Sequence, residues 1–443
     1  MTSEQENNEL EIKLLNNTFF KEWKSEENKH PNFSGLELVI SGYCDQRCTY
    51  CYLTNSGDKL YPGELREEGL SLKNTKILFS YMEKEKLYPR KISIFLGEVL
   101  SQDQGFEILE ESIKFFKGKP IDIIIPTNGS FIFDEEYLKW FDTLDRSNIH
   151  LSFSMDGKYA DKHRPYFNEN LKKDEYYYDK IFKFSKKCNS GFHPMIYSKS
   201  VSSWILNYEW FKVMFRLHNI PYNQLYMLEV RNDNWSIQNL KDYAKFLRYL
   251  YRDILNDFKT KYEDKEELVK AMLKENRFNM FSPLANVGRG IGCGIQSMLY
   301  VRMGDLNVFP CHRLMYNTFK LFNFKTENDE IVGIENCNPS LHSSILSLKG
   351  ENLPYCETCF LKHFCGFGCL GSQNESIGDL FTPIPTVCAL HHMKFKVLVD
   401  IMREFNLLNS LFPQLTKNKV NTLKLYLNDE HKFNNNQGVN YGI

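Results

Sequence analysis

The stretch that decides the fold is residues 36–52, which read LELVISGYCDQRCTYCY. Its first part, 36–41, is apolar and rich in residues that favour strands, which predicts a buried parallel strand. Three cysteines, Cys44, Cys48 and Cys51, follow on the loop that leaves this strand. Because α/β folds carry their chemistry at the carboxyl ends of parallel strands, this loop is a candidate functional site.

Ten of the twelve cysteines fall into spaced groups. Disulfides, zinc sites and iron–sulfur clusters are the three explanations for such a density. The N-terminal stretch has no apolar core of a signal peptide, and no run of about twenty apolar residues occurs, so neither export nor a membrane span is predicted. We therefore expect a cytoplasmic location, where cysteines stay reduced.

Charge and length narrow the possible functions. The 443 residues carry a formal net charge of −1, with acidic and basic residues interspersed. Two or three domains with a large core fit this length. Because the basic field that a nucleic-acid binder needs is missing, no nucleic-acid partner is predicted.

Three cysteines at this spacing favour a cluster over a single ion. They can hold three irons of a cubane and leave the fourth iron open. A structural zinc site uses four protein ligands, commonly as two Cys or His pairs. A zinc knuckle, or a structural cluster with a distant fourth ligand, remains the alternative.

Further along the chain, three more apolar runs are typical of strands, and each ends in a short polar motif. In order they are 91–96 ending in Gly97-Glu98, 121–125 followed by Pro126-Thr127-Asn128-Gly129, and 150–153 followed by Ser154-Met155-Asp156-Gly157. Each motif alone is an ordinary turn signal. Four motifs in register after four predicted strands are more than turns require.

Together these motifs resemble the signature of the radical S-adenosylmethionine (SAM) enzymes. Tyr50 before the third cysteine is part of that resemblance. The later motifs resemble, in order, the superfamily's Gly-Gly-Glu-Pro, Thr-Asn-Gly and Ser-x-Asp-Gly segments. Leu96 stands where the first glycine is usual, and Val99 stands where the proline is usual.

The resemblance implies a 4Fe–4S cluster on the first three cysteines, with SAM chelating its open iron. Electron transfer into the sulfonium then yields a 5′-deoxyadenosyl radical that abstracts hydrogen from a substrate. The implied SAM-contacting residues are Tyr50, Gly97, Glu98, Asn128, Ser154 and Asp156, with Gly97-Glu98 at the amino group and the Ser-x-Asp-Gly segment near the ribose.

Strand and helix signals alternate about six times between residues 34 and 232, which predicts an α/β fold with a partial (β/α)6 barrel like the superfamily's. The predicted division is an N-terminal segment 1–33, the barrel 34–232, a helical connector 233–285, a cysteine-rich domain 286–390, C-terminal helices 391–430 and a disordered tail 431–443.

The second cysteine group resembles the SPASM extension of radical SAM enzymes that modify peptides. It reads Cys356-x2-Cys359-x5-Cys365-x3-Cys369 with Cys388 after it, preceded by Cys293, Gly304 and Cys311. Six residues lie between Gly304 and Cys311, where the family has four. A zinc ribbon is the alternative reading of these pairs.

Two auxiliary 4Fe–4S clusters, making three in all, follow from this resemblance. The distal set is Cys356, Cys359, Cys365 and Cys388, and the proximal set is Cys293, Cys311 and Cys369. Cys337 or a non-cysteine ligand completes the proximal set, or its iron is open to a substrate thiolate. Cys337 and Cys188 are otherwise free thiols.

The residue after Cys311 bears on the reaction. Sulfatase-maturing enzymes have an aspartate there as the suggested base, whereas this chain has His312 in a Pro-Cys-His segment that is common in thioether-forming maturases of ribosomal peptides. His312 is either a base or a packed donor. We predict thioether or other crosslink formation on a ribosomally made peptide. Serine or cysteine oxidation, epimerisation, and a non-catalytic zinc or iron–sulfur module are the alternatives.

Two protein partners are also expected. Only 43 residues precede Cys44, too few for a winged-helix leader-binding domain, so a separate protein or another surface would recognise a leader peptide. An electron donor such as flavodoxin or ferredoxin would reduce the clusters.

Overall fold

The computed structural model describes residues 35–284 and 294–428 of the chain. The predicted N-terminal segment 1–33, Cys293 and the predicted tail 431–443 lie outside the described residues. Among the helices that the structure describes, none is long and apolar enough to cross a membrane.

Strands and helices alternate along the first half of the described chain. The strands are β1 (Gly35–Val39), β2 (Lys91–Phe95), β3 (Asp122–Thr127), β4 (Ile149–Phe153), β5 (Asn189–Phe192), β6 (Met195–Ile196), β7 (Leu228–Glu229), β8 (Met298–Arg302), β9 (Asn307–Phe309), β10 (Phe322–Glu327) and β11 (Glu330–Asn336). The helices are α1 (Tyr52–Leu60), α2 (Leu70–Lys84), α3 (Asp103–Phe115), α4 (Glu135–Thr143), α5 (Glu175–Phe184), α6 (Trp204–His218), α7 (Ile237–Lys259), α8 (Lys265–Glu275), α9 (Pro339–Ser347), α10 (Leu370–Ile377), α11 (Pro385–Glu404), α12 (Leu408–Leu411) and α13 (Lys417–Asn428).

Contacts divide the described chain into two compact units. The first contains 35–155, 163–192 and 294–348, and the second contains 156–162, 193–284 and 349–428.

The first unit is built on one nine-stranded sheet in the order β11-β10-β9-β8-β1-β2-β3-β4-β5. Strands β1 to β5 run parallel, and helices supply the crossover connections that parallel pairing needs. Strand β1 lies in the middle, buried at all five residues, and pairs in parallel with both β2 and β8. The first cysteine loop therefore leaves the centre of the sheet.

The second unit is mainly helical, with a short parallel pair, β6 and β7. Strand β6 begins directly after Pro194, which has no N–H to extend the ladder. Helix α7 begins at a capping box in which the Ser236 hydroxyl accepts from the N–H of Asn239 at 3.1 Å, and the Asn239 side chain accepts from the N–H of Ser236 at 3.0 Å.

The fold class agrees with the sequence prediction: an α/β protein with a large parallel sheet and a C-terminal extension. The predicted domain boundaries, with 286–390 as one domain, stay a prediction; the contacts divide the chain in another way. Because β8 pairs directly with β1, residues 294–348 belong to the unit that contains the parallel sheet. The helix predicted near the C-terminus begins at Pro385, so Cys388 lies in the first turn of α11.

Candidate functional site

The first cysteine group lies on the loop between β1 and α1, and Cys51 is the N-cap residue of α1. The loop turns tightly, because the N–H of Cys51 donates to the carbonyl of Cys48 at 3.0 Å. The N–H of Gln46 also points at the sulfur of Cys44 at 3.5 Å. Burial raises the pKa of Cys44 well above its ordinary value, and the carboxylate of Glu98 raises it further. A thiol in this setting gives up its proton when a cation such as iron compensates the charge.

A segment between β4 and α5 holds this loop in place. The N–H of Arg47 donates to the carbonyl of Pro165, and the N–H of Thr49 donates to the carbonyl of His163, both at 2.9 Å. These bonds give the loop a fixed backbone course although it belongs to no regular element. Loop backbone fixed in this way can present side chains to a ligand without first being ordered.

Tyr50, a predicted SAM contact, is fixed by the same segment. Its hydroxyl accepts a hydrogen bond from Nη1 of Arg164 at 2.8 Å. The guanidinium carbon of Arg164 also lies 6.0 Å from the centre of the Tyr50 ring. The phenol therefore has a defined position beside the third cysteine.

The turn after β2 is pressed against the cysteine loop at Gly97. The N–H of Glu98 donates to the carbonyl of Tyr43, which directly precedes the first cysteine, at 2.8 Å. A Cβ on Gly97 would lie 1.6 Å from that same carbonyl oxygen. With a φ of 70°, Gly97 also has a conformation that favours glycine. Only glycine allows the two loops to approach this closely.

The chain departs from the Gly-Gly-Glu-Pro pattern at Leu96, and the structure shows why a leucine is tolerated there. Its φ is 93°, so the backbone has kept a conformation that suits glycine although the residue is leucine. Such a φ costs a side chain about 1–2 kcal/mol. The Leu96 side chain is only 1 % exposed, and burying a leucine contributes about 1.5–3 kcal/mol. Burial therefore offsets the strain.

The Glu98 side chain faces protein donors. One carboxylate oxygen accepts from Oγ1 of Thr127 at 2.7 Å and from the N–H of Leu100 at 3.1 Å, and the other accepts from the N–H of Asn128. Burial raises the pKa of Glu98 to about 8, with a contribution from Asp45, and the three donors oppose this rise. The carboxylate thus joins the turn after β2 to the turn after β3.

Asn128 joins the turn after β3 to the cysteine loop. Its Nδ2 donates to Oδ1 of Asp45 at 2.6 Å, and its Oδ1 accepts from the N–H of Ser130 at 2.8 Å. Its carbonyl accepts from the hydroxyls of Tyr166 and Tyr177 at 3.2 and 3.3 Å. The Thr-Asn-Gly segment is therefore part of the same hydrogen-bonded frame as the cysteines.

The Ser-x-Asp-Gly residues fall in both units. In the first unit, Ser154 is half-buried and its N–H donates to the carbonyl of Thr127 at 2.7 Å. In the second unit, Asp156 is 1 % exposed, and its Oδ1 accepts from the N–H of Met195 at 2.9 Å. The carbonyl of Asp156 accepts from Nδ2 of Asn207 at 2.6 Å. The Asp156 carboxylate therefore joins its turn to the start of β6.

His312 pairs with a carboxylate from the centre of the sheet. Its Nδ1 lies 2.8 Å from Oε1 of Glu37, a residue of β1 that is 6 % exposed. The imidazole also packs on the ring of Phe95, with 4.4 Å between the ring centres. A carboxylate on one ring nitrogen fixes the orientation of the other, which is the arrangement of an oriented base.

Three residues of this site were not predicted from the sequence: Glu37, Tyr52 and Arg313. The signal that could have identified Glu37 is a charged residue inside an otherwise apolar strand. The hydroxyl of Tyr52 is buried without a hydrogen-bond partner in the described structure. The guanidinium of Arg313 lies 4.5 Å from the centre of the Tyr52 ring, and burial raises the pKa of Tyr52. The charges of Cys51 and Cys311 act on this phenol, so it lies near cysteines of both groups.

Four cysteines of the second group come together in the second unit. Burial raises the pKa of Cys365 to about 12 and the pKa values of Cys356 and Cys388 to about 11. The thiols of the other cysteines, including Cys359, add to each rise. Four thiols whose thiolate forms would repel one another fit a cationic group that compensates their charge.

The remaining predicted ligands belong to different units of the described structure. Cys311 is 9 % exposed in the first unit, and Cys369 is the N-cap residue of α10 in the second unit. Cys337 follows β11 with its sulfur 3.7 Å from the carbonyl of Glu335. The proximal set therefore stays a prediction.

Among residues 35–284 and 294–428, no group of three His, Cys, Asp or Glu side chains is placed to hold a metal ion. A cluster on the distal cysteines therefore stays a prediction, as it does for the proximal set.

Solved structures with the same fold are known. A structure of native anSMEcpe, an anaerobic sulfatase-maturing enzyme, with bound AdoMet and the Cp18Cys peptide matches with a TM-score of 0.55 and 19 % identity, covering 84 % of this chain and 99 % of that chain. Native anSMEcpe with bound AdoMet alone matches with a TM-score of 0.56 and 19 % identity, covering 84 % of this chain and 100 % of that chain. The protein thus has the fold of a radical SAM enzyme with a SPASM-type extension.

A weaker likeness is to SuiB of Streptococcus suis bound to S-adenosylmethionine. Its TM-score is 0.49 at 14 % identity, over 86 % of this chain and 81 % of that chain, which is too low to support an argument. No protein-family model and no curated protein matches the sequence.

The close approach at Gly97 predicts a large effect of a single methyl group. Gly97→Ala should lower the free energy of unfolding by about 4 kcal/mol, because the Cβ collides with the Tyr43 carbonyl. Gly118→Ala is the matched control: its φ is 77°, but nothing lies within 4 Å of the added Cβ, so it should cost only about 1 kcal/mol. Equal losses in unfolding experiments would contradict the steric account.

The raised pKa of Glu98 predicts a pH-dependent stability. Because the folded state binds the proton more tightly than the unfolded state, the contribution of this carboxyl is present at low pH and is lost as the pH rises towards about 8. The wild type should therefore lose its advantage in unfolding midpoint temperature over Glu98→Gln as the pH rises from about 5 to about 8. Glu135→Gln, at an exposed position, is the control. A difference that stays constant would refute the prediction.

Proposed function

We propose that this protein is a radical SAM enzyme that modifies a ribosomally made peptide. One observation carries the proposal: the loop of Cys44, Cys48 and Cys51 is hydrogen-bonded to the turns after β2 and β3, at the carboxyl ends of parallel strands. That edge is where open α/β sheets bind their ligands. The likeness in fold to anSMEcpe with bound AdoMet supports the same reading.

The three cysteines would hold a 4Fe–4S cluster, and SAM would bind beside them. When bound, this pair supplies a 5′-deoxyadenosyl radical that removes a hydrogen atom from the substrate. Gly97-Glu98 is the proposed contact of the SAM amino group, and because both oxygens of Glu98 are engaged by protein donors, its side chain would hold this turn in place. Tyr50, Asn128, Ser154 and Asp156 are the other proposed contacts, held by the bonds described above.

Two auxiliary 4Fe–4S clusters are part of the proposal. Cys356, Cys359, Cys365 and Cys388 would hold the distal cluster, supported by the way each thiol raises the pKa of its neighbours. The proximal cluster would use Cys293, Cys311 and Cys369.

The proposed substrate is a peptide, and the proposed bond is a thioether. The structure of anSMEcpe contains a bound peptide, which supports this class of substrate for a chain of the same fold. His312 beside Cys311 would accept the thiol proton of a substrate cysteine, with Glu37 holding the imidazole in place. The substrate C–H hydrogen would go to the 5′-deoxyadenosyl radical, and the electron left when the sulfur–carbon bond forms would pass to an auxiliary cluster. A leader-recognition protein, a flavodoxin or ferredoxin donor and a cytoplasmic location complete the proposal.

Oxidation of a serine or cysteine is the second candidate, because the matching fold is that of a sulfatase-maturing enzyme. The mass of a peptide encoded beside this gene distinguishes thioether formation from oxidation. It is measured after anaerobic incubation of the peptide with enzyme, SAM and dithionite. Loss of two hydrogens that also protects a peptide cysteine from alkylation identifies the thioether. A new carbonyl that reacts with hydrazine identifies the oxidation, and unchanged mass points to epimerisation.

Cysteine substitutions should separate SAM cleavage from product formation. Changing Cys44, Cys48 or Cys51 to Ala should abolish 5′-deoxyadenosine formation, because each removes one of three predicted iron ligands. Cys359→Ala should keep uncoupled SAM cleavage but stop modification of the peptide. Cys188→Ala, outside both cysteine groups, is the control. Retained cleavage in the first three variants would rule out the assignment.

The pairing of Glu37 with His312 predicts a graded loss of product. His312→Gln should lower crosslinking about a hundredfold, and Glu37→Gln about tenfold, while 5′-deoxyadenosine is still produced. His150→Gln is the matched control, since His150 pairs with Asp122 at 2.9 Å on the surface. If the control loses as much crosslinking as His312→Gln, or His312→Gln loses none, His312 is not the base.

A further inference from the structure

A histidine on α11 contacts one of the distal cysteines. Nε2 of His392 lies 3.7 Å from Sγ of Cys359, within hydrogen-bond distance for sulfur. His392 follows Cys388 by one helical turn, so both side chains lie on the same face of α11. The helix that carries one predicted ligand therefore also directs an imidazole at the sulfur of a second.

Aromatic packing holds the imidazole in this position. The Phe360 ring, next to Cys359 in the chain, meets His392 edge-on with 5.1 Å between ring centres. Phe360 itself stacks on Tyr426 at 5.7 Å and meets Phe395 at 6.0 Å. The imidazole has little room to turn away from the sulfur.

A buried ion pair fixes the helix itself. Nζ of Lys394 lies 2.6 Å from Oε1 of Glu229 in β7, with the two side chains 9 % and 12 % exposed. The hydroxyl of Tyr243 in α7 donates to the same carboxylate. Helix α11 is thus tied to β7 and α7 two residues after His392, and ion pairs buried in this way resist displacement.

We propose that His392 donates its Nε2–H to the sulfur of Cys359 and thereby raises the reduction potential of the iron–sulfur cluster that the distal cysteines hold. This inference rests on the proposed function, which assigns that cluster. A reduced cluster carries one more negative charge, so its sulfurs accept hydrogen bonds more strongly. A donor on a ligand sulfur therefore stabilises the reduced form more than the oxidised form.

His392 acts as a positioning and tuning residue and not as a fifth ligand. Four thiols already match the four irons of a cubane. Removing the imidazole should therefore change the potential and leave the iron content unchanged. Removing Cys359 should instead lower the iron content.

The test is a redox titration of the anaerobically reconstituted full-length protein, followed by electron paramagnetic resonance. His392→Leu should shift the auxiliary-cluster signal to a more negative potential, with iron and sulfide per chain as in the wild type. His392→Gln, whose amide can donate, should restore part of the shift. His150→Gln, a surface histidine of the first unit, should leave the potential unchanged.

Each other result has a definite meaning. An unchanged potential in His392→Leu with full iron content would overturn the inference and leave the proposed function intact. A loss of about four irons in His392→Leu would show that His392 is itself a ligand, which would also overturn the inference. Equal iron content in the wild type and in Cys359→Ala would show that Cys359 holds no cluster. That result would overturn the proposed distal cluster and, with it, the inference.

Discussion

The approach of the Tyr43 carbonyl to Gly97 is the constraint on which the candidate site depends. One hydrogen bond from Glu98 joins the two loops there, and a single Cβ would break it. The Glu98 carboxylate then extends the connection to Thr127 and Asn128. Three turns at the ends of neighbouring parallel strands become one frame, so the sheet contributes to positioning the cysteines together with the bonds of their own loop.

The two cysteine groups are organised by different physical means. The first is held by backbone hydrogen bonds and the buried carboxylate of Glu98 in the parallel sheet. The second depends on helix α11, which the Lys394–Glu229 ion pair fixes to the rest of its unit. A site that rests on the sheet suits chemistry that needs exact geometry, and a site tuned by donors such as His392 suits control of a potential.

The sequence predicted what is local and missed what is distant in the chain. Apolar runs ended by polar motifs were enough to place β1 to β4 and the turns that follow them. The parallel pairing of β8 with β1 was not foreseen, because no local pattern records which distant strand is a neighbour. The pairing of Glu37 with His312 follows from that same sheet contact, so it was missed too. The positive φ of Leu96 was hidden because a leucine gives no sign of it.

The most direct test of the central claim is the electron paramagnetic resonance spectrum of the dithionite-reduced protein, recorded without and with SAM. If SAM binds the open iron of the cluster on Cys44, Cys48 and Cys51, its addition changes the signal of that cluster and leaves the auxiliary signals as they were. A spectrum that SAM does not alter, in a protein with a full complement of iron, would contradict the account.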